Sequence, residues 1–173
     1  MKRYILLFIF PLLLFANIYF LPKDSNKALN ELLFLIQNSK ISIKAAIYTF
    51  THKKIAKEIK KAAKRGVKVE IIFDKRYNLT REDKSMLFYL AKYKNIEIYL
   101  LKGKPYKKAQ REGIMHIKAV LSDHKKMIFG SANWTYGAFN NNYEMLYSTK
   151  DYKTAKKFEK YFESMKSYSQ KFR

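Results

Sequence analysis

Apolar runs of strand length alternate along this chain with stretches whose apolar residues recur at helical spacing, and this alternation commits it to an α/β fold. Residues 41–50, 67–73, 96–101, 115–121, 126–129 and 143–148 read as strands. Ala28, Leu29, Leu32, Leu33, Leu35 and Ile36 share one helical face. A second helix over 52–65 carries Ile55, Ile59, Ala62 and Ala63 before Gly66 stops it. A third helix is expected over 80–94 and a last one over 151–168, with Ala155, Phe158, Phe162 and Met165 turned inward. At 173 residues there is room for one such domain and not for two large ones.

The amino terminus follows another pattern. Lys2 and Arg3 precede an apolar run over 4–21, interrupted only by Pro11 and Asn17. As a helix that run would be about 27 Å long at ~1.5 Å per residue, against a hydrocarbon core of ~30 Å. Residues 1–22 are therefore expected to be a signal anchor or signal peptide, with the folded domain over 23–173. That leader implies export. The protein would sit on the periplasmic face of the inner membrane if anchored, or be periplasmic or secreted if the leader is cleaved.

Charge narrows the partner. The chain holds 36 Lys and Arg against 14 Asp and Glu, a formal net charge of +22, which suits nucleic acid or an anionic lipid surface. With 14 Tyr, 13 Phe and one Trp it is no disordered basic tail, since such tails lack aromatics. The absence of Cys excludes disulfides, zinc ribbons, iron–sulfur clusters and thiol nucleophiles.

One strand carries chemistry. Along 115–121, Met115, Ile117, Ala119 and Leu121 form an apolar face that should be buried, and His116 and Lys118 stand side by side on the other. Taken alone, such a pair also fits a solvated polar face. Downstream, however, Asp123 follows Lys118 after four intervening residues, Gly130-Ser131 follows after six more, and then comes Asn133.

The pattern His116-x-Lys118-x4-Asp123-x6-Gly130-Ser131-x-Asn133 resembles the signature of the phospholipase D superfamily. At average residue frequencies six such letters coincide on the order of 10⁻⁷ times per start. Asn142-x-Glu144 resembles a segment found downstream in that family. Ile47-Tyr48-Thr49-Phe50, and Arg65-Gly66-Val67-Lys68-Val69 leading to Asp74, resemble its framework, so the likeness spans about residues 28–164. It implies a mixed sheet flanked by helices. Only one copy of the motif is present, and in single-copy members of the family two chains build one site, so the resemblance also implies a homodimer with the site on its two-fold axis.

The resemblance implies a hydrolase of phosphodiesters that needs no cofactor and no metal. His116 of one chain would be the nucleophile, forming a phosphohistidine, and that of the other the general acid and then base. Lys118 would hold the non-bridging oxygens, with Ser131 and Asn133 as further donors. Glu144 would take the proton of the far ring nitrogen of His116. Asp123, in the turn, is expected to pin the hairpin more than to touch substrate. A nucleic-acid substrate, cut by an endonuclease, is the leading reading. The alternative is an anionic phospholipid such as cardiolipin, for whose acyl chains this short sequence leaves little room. Membrane contact would run through the leader.

Lys102, Lys104, Lys107, Lys108 and Arg111 lie in a ten-residue stretch without an acid that leads into the His116 strand, and they read as a track for phosphates. Trp134, Tyr136 and Phe139 suit base stacking, a core or dimer contacts, and His52 and His124 read as surface or capping residues.

Overall fold

A computed structural model describes residues 16–107 and 111–172. In chain order these form β1 (Ala16–Leu21), α1 (Ser25–Asn38), β2 (Ser42–Ile47), α2 (Lys53–Lys64), β3 (Lys68–Asp74), α3 (Lys75–Leu79), α4 (Met86–Leu90), β4 (Ile96–Leu101), β5 (Lys118–Ser122), β6 (Lys126–Gly130), α5 (Tyr136–Asn140), β7 (Glu144–Thr149), α6 (Tyr152–Ser167) and β8 (Gln170–Lys171). All eight strands join one sheet in the order β1-β7-β6-β5-β2-β3-β4-β8. β2, β3 and β4 run parallel, whereas β5, β6, β7 and β1 form an antiparallel run against β2. This is the expected mixed sheet flanked by helices.

Both faces are covered, and the apolar patterning decides by what. α1 and α2 lay Leu32, Ile36, Ile55 and Ile59 on one face, over Ile43, Ile47, Val69 and Ile71. α6 alone covers the other with the Ala155-Phe158-Phe162-Met165 stripe, over Ala46, Ile72, Ala119 and Leu121. Phe162 is fully buried there, and burial of a side chain of that size stabilises by about 1.5–3 kcal/mol. Lys44 of β2 points the same way and ion-pairs with Glu159 at 2.6 Å and Glu163 at 2.7 Å. Those two carboxylates make its place under the helix tolerable.

Three expectations change. The apolar run over 4–21 does not end outside the domain: Ala16–Leu21 is an edge strand paired with β7, so the domain boundary expected at residue 22 moves at least to residue 16. The cause is alternation within the run. Leu21 is buried and Tyr19 packs on the core, while Ile18 and Phe20 point away. The rest of the expected leader, residues 1–15, lies outside the described residues, among which no helix is long and apolar enough to cross a membrane. The helix expected over 80–94 shrinks to α4, Met86–Leu90, and the separate short helix α3 ends before residue 80. The polar stretch 80–85 has no apolar face to bury, and Ser85 restarts the helix by accepting the Leu87 amide at 3.3 Å. Finally, β5 begins at Lys118 rather than Met115.

Candidate active site

The carboxyl ends of the parallel strands β2, β3 and β4 open at one edge of the sheet, and the antiparallel β5 starts there. β2 has a parallel neighbour on one side and an antiparallel one on the other. Such a switch point is where open α/β sheets form a crevice. Tyr48 follows β2, Asp74 ends β3, Lys102 follows β4, and His116 precedes β5. Four elements distant in sequence thus meet around one imidazole.

Asp74 explains the late start of β5. Its buried carboxylate accepts the amide of Tyr77 at 2.8 Å, capping α3, and the amide of Met115 at 3.0 Å. The chain is therefore clamped immediately before His116. Asn78 donates to the carbonyls of Asp74 and Tyr48, at 2.9 and 2.8 Å, and accepts from Ser85 at 2.9 Å. Tyr48 is held at its other end, its amide donating to the Ile117 carbonyl at 3.0 Å.

His116 is exposed, whereas Lys118 is only 6% exposed. Tyr48 touches both. Its ring centroid is 4.6 Å from that of His116, and the Lys118 ammonium sits 5.2 Å above it. Lys118 also donates to the His116 carbonyl at 2.8 Å. Burial pushes the Lys118 ammonium down to about 8, opposed by Glu144. His116 also lies below its ordinary value, through desolvation first and the Lys118 charge second, with Asp74 and Glu144 pulling the other way. Both effects favour the neutral form of the imidazole beside a cation, which suits a nucleophile facing an anion.

Gly130 must be glycine, because a Cβ there would meet the Met145 carbonyl oxygen at 2.0 Å. That close approach brings Ser131 to Glu144. The Ser131 hydroxyl donates to the Glu144 carboxylate and accepts the Met145 amide at 3.0 Å. Its proton is thus directed at Glu144 rather than left free. Glu144 in turn makes no hydrogen bond to His116 within the chain, although its charge is felt by both His116 and Lys118. Asn133 accepts the Thr49 amide at 3.2 Å, which leaves its NH₂ group available as a donor.

Asp123 is at the far end of β5, in a turn where it and His124 adopt φ of 51° and 60°. Its carboxylate accepts the amides of Lys40, Ile41 and Ser42 at 2.9, 2.8 and 3.0 Å, tying the turn to the chain between α1 and β2. Burial opposes its charge, but those three amides outweigh it and hold the carboxyl below its ordinary 3.8. Hydrogen bonds to a charged group contribute roughly 1.5–3 kcal/mol net, so Asp123→Ala should cost about 2–3 kcal/mol in urea unfolding near neutral pH. The deficit should shrink as pH falls through the depressed carboxyl value, where the native side chain also loses its charge. A stable variant with lost turnover would place Asp123 in the chemistry instead.

The described residues on either side of 108–110 pair antiparallel as the two arms of a hairpin, Pro105 opposite Glu112. At its foot the Gly103 amide donates to the Gly113 carbonyl at 3.0 Å and the Gly113 amide to the Lys104 carbonyl at 2.9 Å, and a Cβ on Gly103 would meet the Gly113 carbonyl carbon at 2.3 Å. Lys102 is ion-paired with Glu112 at 2.5 Å, an acid just beyond the stretch considered from sequence, so its charge is partly spent within the protein. Arg111 stacks on Tyr106 at 4.5 Å. Lys108 lies outside the described residues. A cleft of about 1070 Å³ beside His116 and one of about 760 Å³ beside α3 flank this hairpin. Of Trp134, Tyr136 and Phe139, the first and last are core residues and Tyr136 is exposed. His52 is packed edge-on against Phe139, and His124 bonds Glu159 at 2.6 Å.

Sequence reading placed Tyr48 and Asp74 in a framework and missed their contacts with the His116 strand. A carboxylate closing the apolar run Ile71-Ile72-Phe73, as Asp74 does, was the available signal.

An imidazole backed by a buried cation, at the mouth of an open crevice, is equipped to attack an anionic phosphodiester. The chain belongs to the phospholipase D superfamily: the family described as "Cardiolipin synthase, PLD-like domain" matches residues 32–166. Its structure is similar to NucT from Helicobacter pylori, with 40% identity, a TM-score of 0.89, and coverage of 92% of this chain and 99% of that one. It is also similar to Nuc from Salmonella typhimurium, a phospholipase D family member, with 27% identity, a TM-score of 0.78 and the same coverage. Among curated proteins, the mitochondrial cardiolipin hydrolase of Xenopus laevis is 26% identical over 141 residues, 82% of this chain. The match spans only 62% of that relative's own length.

Proposed function

We propose that the protein is a nuclease that hydrolyses nucleic-acid phosphodiesters through a phosphohistidine, at a site completed by a second copy of the chain. The observation that carries this reading is the exposed His116. It has its cation and its clamp in place, but among the described residues no second imidazole stands beside it to protonate a leaving group. His52 and His124 both lie elsewhere in the fold.

A second copy facing the first across the crevice supplies what is missing. A ring nitrogen of His116 attacks phosphorus, forming the P–N bond as the P–O bond to the leaving alkoxide breaks. The alkoxide takes a proton from His116 of the partner subunit. That imidazole, now neutral, removes a proton from water as the water oxygen attacks phosphorus and the P–N bond breaks. Lys118 offsets the charge on the non-bridging oxygens throughout, and the Asn133 NH₂ group adds a donor. Support for nucleic acid comes from the +22 charge and from likeness, over nearly the whole length, to two proteins whose names mark them as nucleases.

One observation favours the second reading, an anionic phospholipid. The cleft beside His116 is lined by Leu100, Leu101, Ile114, Met115, Ile117 and Met165, an apolar wall that an acyl chain could follow. A panel of plasmid, single-stranded DNA, RNA and cardiolipin vesicles, all in EDTA, separates the two. Cleavage of nucleic acid with the vesicles untouched is expected; cleavage of lipid alone overturns the nuclease reading, and a requirement for added metal overturns the mechanism.

A further inference from the structure

A row of packed, tilted rings leads away from the catalytic imidazole. His116 packs on Tyr48 at 4.6 Å, Tyr48 on Tyr77 at 5.0 Å, and the Arg81 guanidinium lies 4.7 Å over the Tyr77 ring. One residue before Tyr77, Arg76 lines the cleft of about 760 Å³ whose far wall is the basic hairpin, with Pro105 and Arg111. Both arginines are exposed, and among the described residues no carboxylate lies within ion-pair distance of either. Glu82 and Asp83 follow Arg81 in sequence but do not pair with it. Most other acids near the sheet are engaged by lysines, as Glu70 is by Lys166 and Glu97 by Lys171.

The geometry points to Arg76, which lines the cleft shared with Arg111, and Arg81, held on the Tyr77 ring next to it, as a phosphate-binding subsite for the nucleic-acid strand flanking the scissile bond. This rests on the nuclease reading. An arginine stacked on an aromatic ring has its plane fixed while its N–H edge stays free, the arrangement that suits bidentate contact with a phosphate. Tyr77 therefore acts as a positioning residue, and its place is set by Asp74, which accepts its amide at 2.8 Å. The same Asp74 clamps Met115, so the subsite and the nucleophile hang from one carboxylate. Electrostatics agree with the proximity: burial and Asp74 raise the Tyr48 phenol, and the Arg76 and Arg81 charges pull it the other way. Sequence reading put the phosphate track wholly on the hairpin. Neither arginine lies in a basic run, and only folding puts Arg81 at the end of the ring row that starts at His116.

The test is oligo(dT) binding against salt concentration, in the His116→Ala background so that nothing is cut. On a single strand each lost phosphate contact lowers the slope of log K against log salt by about 0.7, so Arg76→Ala/Arg81→Ala should reduce it by roughly 1.4. The Arg76→Lys/Arg81→Lys variant should keep the slope, because Lys preserves the charge. A Gln pair, which keeps most of the side-chain length, repeats the measurement should the Ala pair disturb packing. An unchanged slope in the Ala and Gln variants overturns the subsite. The nuclease reading fails separately, when protein with His116 intact leaves every nucleic acid in the panel uncut.

Discussion

Replacing His116 by Ala lowers turnover by on the order of 10⁴-fold or more while the fold and nucleic-acid binding persist. One substitution removes the nucleophile from one chain and the general acid from the other, and groups acting as a unit are lost together. The side chain is exposed and contributes little to the core, so circular dichroism and the unfolding midpoint should match those of the parent. Mixing makes the test sharper. If one site needs His116 from both chains, the activity of re-equilibrated mixtures of parent and His116→Ala protein falls as the square of the parent fraction. If each chain works alone, it falls in proportion. A proportional fall, or a fully active monomer by light scattering, removes the shared site and with it the proposed source of the leaving-group proton.

The second large effect concerns Lys118 and pH. His116 attacks only when neutral, so kcat/KM should rise with pH through a value below the ordinary 6.5, where desolvation and the neighbouring ammonium hold it. Lys118 offsets phosphate charge only while protonated, so activity should fall again as pH passes about 8. Lys118→Ala removes that charge and should cost about 10²–10³-fold. Lys118→Arg keeps a charge through the whole range, since guanidinium titrates above ~12. It should therefore retain part of the activity while losing the basic limb of the profile. A basic limb that stays near pH 8 in Lys118→Arg would assign it to the imidazolium of the general acid and not to Lys118.

Much of this was readable along the chain, and what was not has a common cause. The strands at 96–101 and 126–129 and the last helix follow from local patterning, because burial on one face imposes a period that the sequence must show. The His116-Lys118 pair and its spacing to Gly130-Ser131 were equally visible. Tyr48, Asp74, Arg76 and Arg81 were not assigned roles because their partners are distant in sequence: Asp74 meets Met115, and Tyr48 meets His116. The segment Ala16–Leu21 misled for a different reason. A strand at the edge of a sheet and the end of a membrane leader can both be apolar, and only the pairing with β7 distinguishes them. Glu144 shows a third case. Its nearest hydrogen-bonding partner is Ser131, a contact made possible by the missing Cβ of Gly130 rather than by any pattern of charge.

The burial of Lys118 has a cost that falls on the whole molecule. An ammonium at 6% exposure, with no carboxylate bonded to it and only a carbonyl and an aromatic face for company, opposes folding at neutral pH. Random replacements at this position that favour a tighter core would be rewarded in stability and eliminated in activity. The ion pairs of Lys44 on the opposite face of the sheet show what a merely structural lysine looks like in the same fold. In this sense the domain is less stable than its packing allows because it carries its chemistry inside, and selection for thermal resilience and selection for turnover pull this one residue in opposite directions.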